Sequence, residues 1–140
     1  LLAVEEPEAH LHPDKQRIVA RALARLSRGG VSVMLSTHSP YILHQLSNLI
    51  LASEVDPKAL SRIGLAREDA VPPHDVAVYL FRLRDRGGSE IQPLPLIPGF
   101  GIQEEGFLFV AESLQEETWR LVQAARTEAE NSSASERPSP

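Results

Sequence analysis

The hydrophobic pattern opens on four apolar residues, Leu1 to Val4, that run straight into Glu5 and Glu6. A short continuous apolar run reads as a strand buried on both faces of a parallel sheet. From Pro13 to Arg28 the pattern becomes helical, with Ile18, Val19, Ala22, Leu23 and Leu26 recurring on one face. Pro13 suits a first helical turn, Asp14 suits the positive helix end, and Gly29-Gly30 after Arg28 gives a stop. "VSVMLS", Val31 to Ser36, is a second buried strand. Ser39 and Pro40 then form an N-cap and first-turn pair opening a second helix, Pro40 to Gln45. Leu49 to Ala52 is a third short apolar run. The order strand, helix, strand, helix, strand predicts an α/β layered domain with parallel strands.

Beyond this point the pattern changes. Glu54 to His74 is polar and punctuated by proline, and reads as a connection or insertion. "VAVYLFRLRDRGGSEIQPLPLI" predicts a hairpin: a strand from Val76 to Leu83, a turn around Gly87-Gly88, and a return strand. Pro93 and Pro95 assign that return strand to an edge, and "PGFG" reads as a loop. Phe107 to Arg126 reads as a helix with Leu108, Ala111, Leu114, Leu121 and Val122 partly periodic. "NSSASERPSP" reads as a disordered tail. The expected division is a core over 1–53, a connection over 54–75, a hairpin-and-helix part over 76–130, and a tail over 131–140.

Composition narrows the classes. The 140 residues are 42% hydrophobic and 24% charged, the balance of a soluble globular chain with a modest core. A net charge of −5 gives no global electrostatic argument for nucleic acid, though a local basic face stays open. The absence of cysteine removes disulfides and thiolate metal sites. No apolar run approaches the roughly 20 residues that a membrane helix needs. No membrane partner and a cytoplasmic location are therefore expected. A start at Leu1, inside a strand, reads as a fragment.

The chemistry sits where strands end. A buried parallel strand delivers the residues after its C-terminal end into the ligand crevice of the sheet. Carboxylates there serve a bound cation and its phosphates: one helps hold Mg²⁺, and a second beside it can orient or deprotonate an attacking water. Adjacent residues on an extended strand point opposite ways, which would separate Glu5 from Glu6. "VMLSTHSP" repeats the arrangement, running apolar residues into Thr37 and His38 with a helix N-terminus behind. A histidine in that place can meet a terminal phosphate. Read alone, "EEPE" is also a charged turn, and His38 also fits a capping or core histidine.

Taken together, "LLAVEEPEAHLHP" and "STHSPYIL" resemble the C-terminal half of an ABC-type ATPase head, a P-loop NTPase fold. The likeness is to the SMC/RecF-like and OLD-like AAA-family ATPases of genome maintenance and phage defence. It is strongest over Leu1 to Leu43, weaker from Val76 to Arg126, and absent in the tail. It implies parallel strands flanked by helices, with a C-terminal hairpin and helix completing the domain. It also implies ATP and Mg²⁺ as cofactors and a second ATPase head as partner, with DNA or an effector protein as a possible substrate. Glu5 corresponds to the Walker B acid that supports Mg²⁺, although Asp is commoner there. Glu6 corresponds to the general base, and His38 to the switch histidine that senses the γ-phosphate. Glu8, His10 and His12 fall in the D-loop, which contacts the partner head and its nucleotide.

Other readings of the same residues bound this one. The Walker A loop, G-x-x-x-x-G-K-[ST], is missing: of two lysines, Lys15 and Lys58, neither follows a glycine. In the resembled family that loop lies N-terminal to Walker B. "LSRGG", Leu26 to Gly30, closes a helix after Walker B, so it is a glycine stop rather than an ABC signature. His10 and His12 with the nearby glutamates could ligate zinc or manganese. No Asp-x-Asp pair occurs, which argues against nuclease chemistry of the TOPRIM kind. Arg17, Arg21, Arg25 and Arg28 share one side of the first helix, as a solvated face or as a contact for DNA phosphates or a protein. Phe107 and Trp119 read as core anchors. The alternative to an ATPase is a non-catalytic interaction module that keeps the fold without turnover.

Overall fold

A computed structural model describes residues 1–84, 87–103 and 113–123. The chain divides into two units, Leu1–Gln103 and Glu104–Pro140. The first unit is a mixed α/β arrangement that fits a fragment of a P-loop NTPase-like domain. It begins with β1 (Leu2–Glu5), α1 (Pro13–Arg28), β2 (Val33–Ser36) and α2 (Pro40–Leu51). After a 3₁₀ turn at Ala52–Glu54 come α3 (Pro57–Arg62) and two further 3₁₀ turns, Arg67–Asp69 and Pro73–Asp75. Two hairpins close the unit, β3 (Val78–Leu83) with β4 (Ser89–Leu94), and β5 (Leu96–Ile97) with β6 (Gly101–Ile102).

β1 and β2 pair in parallel, Leu2 opposite Val33 through Glu5 opposite Ser36. They form a sheet of two strands with no third neighbour among the described residues. The expected burial on both faces is therefore not found: Leu2, Val4, Val33 and Leu35 are half-buried, while Ala3 and Met34 on the other face are exposed. The third apolar run is not a strand. Leu49 and Ile50 extend α2, which runs to Leu51 rather than ending at Gln45. Helical spacing explains this outcome, because Ile42, Gln45 and Leu49 fall on one face and all are buried.

The buried face of α1 also differs from the expected one. It is made by Ala20, Leu23 and Ala24, whereas Ile18, Ala22 and Leu26 are exposed. Two alanines on this face let α2 approach closely. Behind them Leu49 and Val71 pack on Ala24, and Leu60 packs with Ala52 and Ala70. The polar segment after Glu54 thus folds into short helical turns that complete the core.

The β3–β4 hairpin runs from Val78 opposite Leu94 to Leu83 opposite Ser89, as the pattern predicts. "PGFG" is the turn of the second hairpin, which the pattern does not predict because its strands have two residues each. Gly101 has a φ of +79°, and a Cβ there would lie 2.1 Å from Ser47 Oγ. Only glycine permits this approach, in which Ser47 Oγ accepts from the Ile102 amide at 3.0 Å.

In the second unit, residues 113–123 are helical. Trp119 is 63% exposed, so it is not the expected core anchor. The rest of the expected helix, Phe107 included, and the expected tail lie outside the described residues.

Among the described residues no helix is long and apolar enough to cross a membrane.

Candidate active site

The parallel pairing brings two turns together: 6–12 after β1, and 37–39 between β2 and α2. Glu5 ends β1 opposite Ser36 and is exposed. Glu6 keeps one ladder bond, its amide donating to the Ser36 carbonyl at 2.9 Å. Its φ is +43°, the left-handed region that a non-glycine residue enters at a cost. The separation of Glu5 from Glu6 therefore comes from a sharp turn at Glu6, not from strand alternation. That turn carries the Glu6 carboxylate toward the second strand end, where Oε1 lies 3.5 Å from His38 Nε2.

His38 is neither a core nor a capping residue. Its side chain is 87% exposed, beside a Glu6 side chain 52% exposed. The cap of α2 is Ser39, whose hydroxyl accepts from the amides of Tyr41 at 3.1 Å and Ile42 at 3.2 Å. Two strand ends thus present three groups on an open surface: Glu5, Glu6 and His38. A groove of about 460 Å³, lined in part by Arg17, Ile18, Arg21, Gln45 and Ile63, includes none of them.

Glu8 behaves differently from its neighbours. Its Oε1 accepts from the Thr37 hydroxyl and from the His38 amide, each at 2.7 Å. Burial opposes ionisation of this carboxyl, but the Thr37 hydroxyl and nearby backbone amides outweigh it and hold the group below its ordinary value. His12 caps α1, its Nδ1 accepting from the Asp14 amide at 3.5 Å, and His10 is exposed with a φ of +63°. No group of three or more metal-ligating side chains is assembled among the described residues.

Three of the four arginines on α1 have side-chain partners within the chain. Arg17 Nε donates to Gln45 Oε1 at 2.9 Å. Arg21 Nη2 and Arg25 Nε donate to opposite oxygens of Asp69, at 2.7 and 2.6 Å. Asp69 is fully buried, and the Ala66 amide also donates to it at 2.8 Å. Arg21 and Arg25 therefore hold a buried carboxylate while each keeps part of its side chain in water. Sequence reasoning missed Asp69 because it lies in a polar stretch without periodicity. It missed Thr37 and Gln16 as supports of the site for a related reason: each acts through two side-chain hydrogen bonds that carry no sequence pattern.

Residues 1–43 match the family model of an AAA ATPase domain. The matched span contains both turns and every candidate site residue. It supports an AAA-type ATPase fragment and a general ATPase-type function. Such a domain implies use of a nucleotide and usually of Mg²⁺. No curated protein and no solved structure matches the chain.

Proposed function

We propose that this chain supplies the water-activating and phosphate-sensing half of an ATP-hydrolysing head of the ABC type, as in SMC/RecF-like and OLD-like ATPases. The observation that carries this reading is the pairing of Glu6 with His38 at 3.5 Å, across the C-terminal ends of two parallel strands. In this arrangement Glu6 orients a water and accepts its proton. His38, exposed before the N-terminus of α2, faces the terminal phosphate, where the helix end also favours negative charge. Glu5 fits magnesium, because it offers hard carboxylate oxygens on the open surface at the end of β1. When bound, the ion would neutralise phosphate charge. Heads of this type close on ATP as dimers, and genome maintenance or phage defence is the setting the resemblance suggests.

The half-site reading makes its own test possible. The sequence holds no G-x-x-x-x-G-K-[ST] loop, and carboxylates without a phosphate cradle repel a triphosphate. The 140-residue chain by itself is expected to bind ATP weakly and to hydrolyse none. Tight ATP binding in calorimetry would remove the half-site reading.

His38→Ala separates this reading from a non-catalytic module. In the protein that joins this chain to its Walker A segment, turnover should fall strongly while ADP affinity stays nearly unchanged. ADP lacks the group that His38 would touch, so only interactions made with ATP or its transition state are lost. Stability should stay within about 0.5 kcal/mol, as for other exposed substitutions. Unchanged turnover in this variant would remove His38 from the switch role.

A further inference from the structure

One carboxylate oxygen organises the loop that carries His38. Glu8 Oε1 holds the Thr37 hydroxyl and the His38 amide, and the Thr37 hydroxyl in turn accepts from the Ser39 amide at 3.0 Å. Three consecutive residues are thereby tied to a side chain about thirty positions earlier. Both bonds to Glu8 are short and charge-assisted, a class roughly twice as strong as neutral hydrogen bonds. A second tie runs through Gln16, whose Oε1 accepts from the Ser39 hydroxyl and whose Nε2 donates to the Leu11 carbonyl at 2.8 Å. The other oxygen of Glu8 is buried and has no hydrogen-bond partner among the described residues. A carboxylate persists in such a place only where its remaining bonds hold it there.

The His38 ring, by contrast, is mostly in open solvent. What places such a side chain is its backbone, and what holds that backbone is Glu8. We propose that Glu8 is a positioning residue, which sets His38 against Glu6 by gripping the peptide of His38 and the hydroxyl of Thr37. The role lies within one chain, apart from any contact with a partner head, and it rests on the ATPase reading above. Displacing a reacting group by about 1 Å can cost on the order of 10²-fold in rate, so a tether that touches no substrate can still govern turnover.

Three variants test this: Glu8→Ala, Glu8→Gln and Thr37→Val. In the 140-residue chain, Glu8→Ala should speed hydrogen exchange of the His38 amide by roughly 10- to 10²-fold, the value of one bond to a charged group. Amides inside α1 and the β3–β4 hairpin should keep their rates. Cross-relaxation between the Glu6 γ-protons and His38 Hε1 should be present in the wild type and lost in Glu8→Ala. In the protein with its Walker A segment, kcat should fall by about tenfold or more, with KM for ATP and ADP affinity within about twofold. Glu8→Gln keeps an acceptor oxygen and should restore most of each reading. A residue that served stability alone would show no such split between kcat and KM.

Unchanged exchange at His38 in Glu8→Ala would overturn the tether. Fast exchange with unchanged kcat would overturn the positioning role and leave the ATPase reading standing. A wild type without turnover would overturn the ATPase reading instead, and the cross-relaxation then decides the positioning by itself. Should Glu8→Ala fail to fold, Thr37→Val removes one of the two bonds and should move every reading in the same direction, by less.

Discussion

Glu6→Gln, in the protein that carries this chain with its Walker A segment, is expected to keep ATP binding and to lose turnover by roughly 10²- to 10⁴-fold, the usual contribution of a general base. The amide fills nearly the same volume and can keep the 3.5 Å approach to His38, but it cannot accept a proton from water. The left-handed turn at Glu6 depends on the backbone and should survive the change. Binding and chemistry should therefore separate: nucleotide affinity by calorimetry near wild type, single-turnover hydrolysis nearly abolished. The trapped ATP state should also favour head dimers, visible as a shift in sedimentation. Wild-type turnover in this variant would take the base role away from Glu6.

Asp69→Ala is expected to cost about 3 kcal/mol of stability, within the range for breaking a buried ion pair. Its carboxylate is fully buried and is the common acceptor for Arg21, Arg25 and the Ala66 amide. Both arginines retain some access to water, which keeps the cost below that of stranding a fully buried charge. For a unit of this size such a loss corresponds to a melting temperature lower by roughly 10–20 °C. The pH dependence has a definite sign. Burial pushes the Asp69 carboxyl up, but hydrogen bonds from Arg25, Arg21 and Ala66 and the Arg21 charge outweigh it, leaving the group well below the usual carboxylate range. A group lowered on folding stabilises the native state above its unfolded value, about 3.9, and loses that contribution as pH falls toward the folded value. Wild-type stability in urea should therefore decline below about pH 4, and Asp69→Asn should flatten that part of the acid limb. An equally steep acid limb in Asp69→Asn would show that other carboxylates govern it.

The parts of this molecule legible in its sequence are those that repeat. β1 and β2 announced themselves as apolar runs, α1 by its period and its Pro13 and Gly29 boundaries, and the β3–β4 hairpin by its strands flanking Gly87-Gly88. Glu5, Glu6 and His38 stand out in the sequence because each lies at or just beyond the end of a strand. The third apolar run was misread because four apolar residues carry no period of their own, and burial of Leu49 and Ile50 against the core decided for helix. The buried face of α1 was misplaced because hydrophobicity favoured Ile18 and Leu26, whereas packing favoured the smaller Ala20 and Ala24. The Asp69 clamp and the Glu8 tether were illegible for a common reason. Each joins residues 29 to 48 positions apart through polar atoms, and nothing local marks a hydrogen bond of that span.

That span has a consequence for how the chain is made. Arg21 and Arg25 precede Asp69 by 48 and 44 residues. At a synthesis rate of about 5–20 residues per second, α1 waits roughly 2–10 s for the carboxylate that clamps it. Through that interval its small-residue face has met α2 at most, while Leu60, Asp69 and Val71 are still to come. The helix between the two strand ends is thus translated before the carboxylate that secures it, and a nascent chain stalled before Asp69 would hold the turns of Glu6 and His38 beside an unclamped helix.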